Sequence, residues 1–144
     1  MNETLKVLET RRSCRNFKPD MIKDEELKAI IKAGTYAATG MGKQSPIIIA
    51  VTDKKLRDEI MVANRKVANW GEDYDPLNAA QSLGVASIWI HRAKEEFESD
   101  FGKDILNKLG ITDDYEGIGH CALGYAAEPP KEPAPRKENY VYYI

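Results

Sequence analysis

The sequence predicts a single domain that combines α-helices with a small β-sheet. Amphipathic helical stretches alternate along the chain with short runs rich in Ile and Val, which is the pattern of α+β and α/β domains. A length of 144 residues suits one domain, and 42% hydrophobic with 31% charged residues is an ordinary globular composition. No internal repeat is evident, so we treat residues 1–144 as one domain.

The first half of the chain predicts three helices and one strand. A short helix over Glu3–Thr10 precedes a second helix, for which Asp24 is the expected N-cap and Gly40 the expected stop. The β-branched run Pro46–Asp53 is bounded by turn residues, which predicts a strand buried on both faces. Residues 54–70 return to helical spacing. Their apolar side consists of Leu56, Ile60, Ala63 and Val67.

The second half predicts two further strands with a long helix between them. Leu77–Leu83 is a short helical fragment ended by Gly84, and the run 85–91 is a second buried strand. One helix is expected over 93–110, with Gly110 as its C-terminal stop. Its apolar residues recur every four positions at Phe97, Phe101, Ile105 and Leu109. A third strand over 117–126 is rich in small residues, and three strands make a thin sheet for this number of helices.

The C-terminal residues 129–144 predict an extended arm. Closely spaced prolines exclude a helix or a central strand there. The arm nevertheless ends in three tyrosines, a valine and an isoleucine, which is too apolar for a free tail. We therefore expect the arm to pack on its own domain or on a partner chain.

Charge and cysteine content exclude several classes of function. The net charge of −2 provides no overall field for nucleic acid. No apolar run approaches the roughly 20 residues of a membrane span, and the first residues are too charged for a signal peptide. Cys14 and Cys121 form no metal-binding spacing, so neither a zinc site nor a disulfide is expected. These features indicate a reduced, cytoplasmic protein.

Three arginines near the N-terminus are the first candidate site. Arg11, Arg12 and Arg15 carry planar guanidinium groups that bind phosphate in a bidentate manner, and Ser13 adds a hydroxyl donor. In an extended chain, Arg11, Ser13 and Arg15 would lie on one side and could bind one anion. The alternative is a solvated helix end, where arginine is favoured by the helix dipole. Taken alone, the stretch favours that alternative.

Three other stretches have side chains or backbone suited to a ligand. The loop 39–46 contains Gly40 and Gly42, which allow close backbone approach, and Gln44, which can both donate and accept hydrogen bonds. Trp89 and His91 end the second predicted strand, where open sheets often bind ligands. Arg136 follows the prolines of the arm. Each has an ordinary structural explanation: a capped loop, a core tryptophan, or a solvated basic residue.

The motifs of common enzymes are absent. The sequence has no GxSxG, HExxH or GxGxxG pattern. His120 and Cys121 are adjacent in a predicted strand, so their side chains point to opposite faces and cannot form a catalytic pair. If the protein is an enzyme, a cofactor must carry the chemistry.

In their order along the chain, these stretches resemble the nitroreductase family of FMN-dependent NAD(P)H oxidoreductases. The stretches that carry the resemblance are RRSCRNF, the helix and loop DEELKAIIKAGTYAATGMGKQSP, SLGVASIWIHRAKEEF, ALGY and the closing PRKENYVYYI. The resemblance implies an α+β nitroreductase fold with a central, mostly antiparallel sheet flanked by helices. It also implies a homodimer with exchanged C-terminal arms and two FMN sites at the subunit interface.

The resemblance also implies roles for individual residues. Those that match positions of the family's flavin site are Arg11, Arg12, Ser13, Arg15, Gly40, Gly42, Gln44, Trp89, Ile90, His91 and Arg136. Of these, the first four would hold the phosphate, ribityl chain and ring edge of FMN, and Arg136 would pair with the phosphate. The loop carrying Gln44 would contact the ring from the other subunit, while the strand end with Trp89 would lie beside the ring.

One departure from the family follows Pro76. Relatives usually continue with a further buried strand and the first half of a long helix, whereas here Pro76 runs directly into Leu77. The difference is roughly 30–40 residues on ordinary element lengths. Either the chain is internally deleted, or a mobile segment is left out of the chain as written. The second explanation is favoured because a sheet that loses an interior strand exposes a large apolar surface; an intact mass equal to that of the 144 residues would exclude it.

Three functions remain in comparison. The favoured one is an FMN-dependent oxidoreductase that uses NAD(P)H to reduce nitroaromatics, quinones or a similar small acceptor by a ping-pong mechanism. A degenerate flavin-binding or interaction protein of the same fold is the alternative. An anion or nucleic-acid binding module is disfavoured by the net charge and by the lack of aromatic residues among the arginines.

Overall fold

A computed structural model describes residues 2–68, 84–132, 134–136, 138 and 141–143 of the chain. Five helices and two strands are present in this part, which agrees with the predicted mixture of helices and sheet. The helices are α1 Glu3–Thr10, α2 Asp24–Thr35, α3 Lys54–Ala68, α4 Ala93–Glu98 and α5 Asp100–Lys108. The strands are β1 Ala86–Ile90 and β2 His120–Gly124, and a 3-10 turn covers Gly40–Gly42.

Helix α1 has the predicted bounds, whereas the predicted ends of α2 are wrong. Asn2 caps α1 by accepting a hydrogen bond from the Leu5 N–H at 2.9 Å. Lys23, not Asp24, is the N-cap of α2, and its N–H donates to the Glu26 carboxylate at 2.9 Å. The helix ends at Thr35 rather than Gly40, because its last turn tightens: the Tyr36 N–H bonds to the carbonyl three residues earlier.

The two strands pair antiparallel, in the register Ala86↔Gly124 to Ile90↔His120. Residues opposite each other in such a pair share a face of the sheet, and neighbours along a strand alternate. Trp89 and Cys121 therefore lie on one face, and Ile90 and His120 lie on the other. The structure confirms that His120 and Cys121 point in opposite directions.

The predicted strand over Pro46–Asp53 is wrong. This stretch forms no strand, and Ile47 and Ile48 are exposed rather than buried. A strand requires a neighbouring backbone with which to exchange hydrogen bonds. Within the described ranges no other segment pairs with it, so its apolar composition alone does not produce a strand. The sheet described here has two strands, one fewer than predicted.

The predicted single helix over 93–110 is broken at Ser99. Ser99 has extended backbone angles, ends α4 and is the N-cap of α5, where its hydroxyl accepts from the Gly102 N–H. Serine favours this position because its side chain satisfies a free N–H at the helix start. The chain folds back so tightly that a Cβ on Gly102 would lie 2.4 Å from the Glu96 carbonyl oxygen. Gly110 has a φ of 70° directly after the α5 C-cap, as predicted.

The core covers only one half of the sheet face that carries Trp89. Ile22 and Val85 are buried at its centre. The partly buried residues packed around them are Phe17, Leu27, Ile30, Leu123 and Tyr125. Helix α2 therefore covers the Leu123 end of this face, while Trp89 and Cys121 at the other end remain exposed.

Part of the chain lies outside the described residues. This part includes the predicted helical fragment Leu77–Leu83, the junction after Pro76 and several positions of the C-terminal arm. In the part that is described, no helix has the length and apolarity needed to cross a membrane.

A hydrogen bond between Tyr125 and Glu26 ties the end of the sheet to α2. The Tyr125 hydroxyl donates to Glu26 Oε2 at 2.5 Å. This bond is the main cause that lowers the pKa of Glu26 below its ordinary 4.5 and raises the pKa of Tyr125 above its ordinary 10.0. The lowered carboxyl pKa stabilises the fold above pH 4.5, and the raised phenol pKa stabilises it below pH 10.0.

We therefore expect Tyr125→Phe to lower the melting temperature most at neutral pH. As the pH falls through the lowered pKa of Glu26, the carboxylate is protonated and the difference between wild type and variant should shrink. Thermal unfolding from pH 3 to pH 8 measures this. The control is Tyr115→Phe, because the Tyr115 hydroxyl makes no hydrogen bond to a carboxylate within the described residues. A difference in melting temperature between wild type and Tyr125→Phe that does not change with pH would contradict the proposed link between Tyr125 and Glu26.

Candidate functional site

The arginine segment lies against the sheet. After α1 ends, Ser13 forms a parallel bridge to Ser87 of β1, and the Cys14 N–H donates to the Ser87 carbonyl at 3.0 Å. Four residues later, Phe17 bridges Ala126 beyond the end of β2. The segment between these bridges is therefore extended and fixed at both ends. It brings the arginines to the strand that carries Trp89.

Exposure along this segment alternates as the sequence predicted. Arg11, Ser13 and Arg15 are exposed, whereas Arg12 and Cys14 between them are partly buried. Within the described residues, neither Arg11 nor Arg15 forms an ion pair with a carboxylate. Two guanidinium groups without acidic partners, on one side of a fixed segment, leave their donors available to an anion.

Arg12 differs from the other two arginines. Its guanidinium turns back toward α1 and donates to the carbonyls of Glu9, at 2.9 Å, and of Arg11. These carbonyls belong to the free C-terminal end of the helix, where a cation is favoured. The alternative considered for all three arginines, a helix end at which arginine is favoured by the helix dipole, therefore applies to Arg12.

Trp89 is the large aromatic residue of the open half of the sheet face. It is 55% exposed, and Cys121 lies opposite it in the neighbouring strand. Partial burial raises the pKa of the Cys121 thiol, and the positive charge of Arg11 counteracts this in part. The bridge between Ser13 and Ser87 places the segment that carries Arg11 beside β1, the strand of Trp89. An exposed indole, and a guanidinium that pairs with no carboxylate in the described residues, are groups that can bind a planar, anionic ligand.

Ile90 and His91 contribute differently to the strand end. Ile90 points to the opposite face from Trp89 and is partly buried across from His120. His91 is exposed just after β1, and its charge is a minor cause of the lowered pKa of Glu95, which is due first to a backbone hydrogen bond. Of the three predicted residues here, Trp89 and His91 are accessible to a ligand.

The predicted glycine loop forms a strained turn away from the arginines. Met41, Gly42 and Gln44 all have positive φ angles, of 55°, 66° and 49°, which non-glycine residues adopt rarely. The Gln44 N–H donates to the Thr39 hydroxyl at 3.1 Å, which holds this turn. Gly40, Gly42 and Gln44 are exposed. Among the described residues, the loop makes no hydrogen bond to the arginine segment or to Trp89.

Arg136 is exposed in the C-terminal arm. In the described ranges it makes no hydrogen bond or ion pair with the site. The same ranges contain no cluster of three or more His, Cys, Asp and Glu side chains that could hold a metal ion.

Comparison with known proteins finds matches to nitroreductases. Residues 8–70 match the model of the nitroreductase family. A putative NADH dehydrogenase/NAD(P)H nitroreductase of Archaeoglobus fulgidus is 26% identical over 153 residues, which covers 87% of this chain and 86% of the relative. Both comparisons therefore show similarity to nitroreductases.

Solved structures of nitroreductases share the fold over the full chain. A nitroreductase with bound FMN from Desulfitobacterium hafniense has a TM-score of 0.82 at 27% identity, covering 100% of this chain and 99% of the other. A nitroreductase with bound FMN from Bacteroides fragilis has a TM-score of 0.80 at 23% identity, again covering 100% and 99%. The α+β nitroreductase fold is therefore confirmed.

The alignment with the A. fulgidus nitroreductase relative also shows that the present chain is shorter. It runs over 153 positions, whereas 87% of the 144 residues is only about 125, so about 28 positions have no counterpart here. This shortfall is close to the segment that the sequence predicts to be missing after Pro76.

Two residues beside this candidate site were not predicted from the sequence. Ser87 anchors the arginine segment, and Gly119 supports Trp89, because a Cβ on Gly119 would lie 2.2 Å from Cζ2 of the indole. The signal for Gly119 was present, since glycine alternates with other residues just before β2, as Gly117 and Gly119. Nothing in the local sequence marks Ser87.

Proposed function

We propose that this nitroreductase-family protein is an FMN-dependent oxidoreductase that takes electrons from NAD(P)H. The observation that carries the proposal is the open half of the sheet face, where Trp89 is exposed and the arginine segment is bridged to β1 through Ser13 and Ser87. The two relatives with bound FMN and the relative named as an NAD(P)H nitroreductase support it.

The described residues fit the parts of FMN. Arg11 and Arg15 offer bidentate donors for the phosphate, with the Ser13 hydroxyl between them. Trp89 presents an apolar surface to the ring. We assign Arg12 a supporting position rather than a direct contact, since its guanidinium bonds to the end of α1. Ile90 would support the end of β1 by packing on the opposite face, and His91 would lie at the accessible rim of the site.

Gly40, Gly42, Gln44 and Arg136 belong to the site only in a dimer. The loop makes no hydrogen bond to the arginine segment within the described residues, so its proposed contact with the ring comes from the second subunit. We propose a homodimer with exchanged C-terminal arms, which brings Arg136 to the phosphate. Exposure of Val141, Tyr142 and Tyr143 supports this, because they are 62%, 77% and 93% exposed and large apolar groups at such exposure indicate a binding surface.

Bound FMN would supply the redox chemistry, namely ping-pong transfer of electrons from NAD(P)H to a small acceptor. The protein would contribute orientation, exclusion of water at Trp89, and positive charge and hydrogen bonds that stabilise an anionic ring. Small planar acceptors such as nitroaromatics and quinones suit an open site beside an indole. We place the protein in the cytoplasm, in keeping with its free Cys14 and Cys121.

The test is a visible spectrum of the purified full chain after incubation with FMN and gel filtration. We expect flavin absorption to co-elute with a dimer, and addition of NADH under nitrogen to bleach it. Subsequent addition of a quinone should restore the colour. A chain that elutes without flavin and oxidises no NAD(P)H would overturn the proposal.

A second candidate is a flavin-binding protein of the same fold without turnover. The shortfall of about 28 positions relative to the A. fulgidus relative and the unpaired stretch Pro46–Asp53 favour it. The same experiment separates the two functions. Co-elution of FMN without bleaching by NADH or NADPH would support this second candidate.

A further inference from the structure

A buried carboxylate lies on the opposite side of the sheet from the proposed site. Glu96 of α4 is fully buried, and its Oε2 accepts from Asn64 Nδ2 of α3 at 2.6 Å. Asn64 Nδ2 also donates to the Ile60 carbonyl at 3.1 Å, which fixes the orientation of the amide. Removing a carboxylate from water costs several kcal/mol unless it is paired. A buried carboxylate therefore needs contacts that offset the cost of removing it from water.

The second contact of this carboxylate is with His120, the first residue of β2. His120 Nε2 lies 3.3 Å from Glu96 Oε2, within reach of charge attraction although not aligned as a hydrogen bond. The His120 ring also lies 6.3 Å from the Phe97 ring, centroid to centroid. Glu96 therefore connects α3, α4 and the start of β2 at one point.

Two glycines just before His120 lie close to α4 and to Trp89. A Cβ on Gly117 would lie 2.2 Å from the Ala93 carbonyl oxygen of α4. A Cβ on Gly119 would lie 2.2 Å from Cζ2 of Trp89. The backbone at 119–120 is thus in contact with Trp89 on one face, while the His120 side chain contacts Glu96 on the other. A shift of this backbone moves the surface on which the indole rests.

We propose that Glu96 is a positioning residue for the Trp89 side of the site. Through His120 it fixes the start of β2, and through Gly119 it fixes the plane against which the indole lies. Glu96 touches neither the indole nor the face proposed for FMN, because its contacts are on the far side of the sheet. Its role is therefore indirect. The consequence for flavin affinity rests on the proposed function, whereas the position of Trp89 does not.

The position of Trp89 can be followed by fluorine NMR of the full chain labelled with 5-fluorotryptophan. Trp70→Phe leaves Trp89 as the single indole, because the chain has two tryptophans. We expect Glu96→Gln, which keeps the shape but removes the charge, to shift or split the resonance by more than its linewidth. Gly119→Ala should also move it. Glu98→Gln, an exposed carboxylate on the same helix, should leave it unchanged.

A merely structural role for Glu96 would lower the unfolding midpoint without moving the resonance of the folded protein. His120→Gln provides a second variant, which removes the ring but keeps an N–H donor, and should move the resonance as well. A resonance that coincides with wild type in folded His120→Gln and in folded Glu96→Gln would overturn the proposal. If Glu96→Gln does not fold, His120→Gln alone decides.

Flavin titration of the same proteins tests the consequence for the site. We expect Glu96→Gln to weaken FMN binding about tenfold, equivalent to about 1.4 kcal/mol, and Glu98→Gln to bind like wild type. Equal FMN affinity of Glu96→Gln and wild type would overturn the functional half of the inference. A wild-type chain that binds no FMN would instead overturn the proposed function, and the fluorine result would stand by itself.

Discussion

Arg11→Ala should release FMN while the domain stays folded. Arg11 is exposed, forms no ion pair with a carboxylate among the described residues, and lies near the face that carries Trp89. Hydrogen bonds to a charged group contribute about 1.5–3 kcal/mol, so we expect FMN affinity to fall roughly 10- to 100-fold. Fluorescence titration with FMN measures the affinity, and circular dichroism measures the fold. Arg15→Ala should act in the same direction.

Two further variants separate the guanidinium from its charge. Arg11→Lys keeps the positive charge but loses the bidentate fork, so an intermediate affinity is expected. Lys28→Ala removes one positive charge from the exposed surface of α2 and should leave the affinity unchanged. Retention of wild-type affinity by both Arg11→Ala and Arg15→Ala would refute the assignment of the phosphate site to this segment.

Gly102→Ala should produce a large loss of stability from a single methyl group. The added Cβ would lie 2.4 Å from both the Glu96 carbonyl oxygen and the Phe97 Cα, which are backbone atoms that cannot rotate away. Overpacking of this kind typically costs 1–3 kcal/mol, and contact with backbone argues for about 3 kcal/mol. For a domain of this size the melting temperature should fall by roughly 6–12 °C. Urea and thermal unfolding measure the change.

Gly40→Ala is the matched control for this prediction. A Cβ on Gly40 meets nothing within 4 Å, so the same chemical change should alter the stability by less than about 1 kcal/mol. Equal stability of Gly102→Ala and Gly40→Ala would show that the α4–α5 junction relaxes at no cost. The close approach at Ser99 would then not define the break between the two helices.

Several patterns read over short distances were confirmed in this chain, although the predicted ends of α2 were wrong. Helix α1 has the predicted bounds, Gly110 follows α5 with a positive φ, and the alternation of Arg11, Ser13 and Arg15 is seen in their exposure. Each depends on a repeat or a terminating residue within about one turn or strand. The order of the motifs along the chain was sufficient to predict the family, which the match over residues 8–70 bears out.

Errors occurred where a distant neighbour decides the local structure. Pro46–Asp53 has the composition of a buried strand, yet it forms none, because no described segment supplies the opposite half of its hydrogen bonds. The four-residue apolar spacing from Phe97 to Leu109 continues across Ser99, yet the helix breaks there. The spacing of apolar residues does not predict that the chain turns back between the two helices. The Ser99 cap and the absence of a Cβ on Gly102 make this turn possible.

The sequence by itself predicted the α+β class, the resemblance to nitroreductases and the candidate residues for binding an anion, because these follow from residue type, spacing and order. Only the tertiary structure decided which arginines are available. Arg12 turns back to α1, while Arg11 and Arg15 remain exposed beside β1. It alone also placed Glu96 beneath His120 and Gly119 beneath Trp89. The contacts of Glu96 with His120 and of Gly119 with Trp89 join residues more than 20 positions apart. Local spacing carries no information about pairs that meet only when the chain folds.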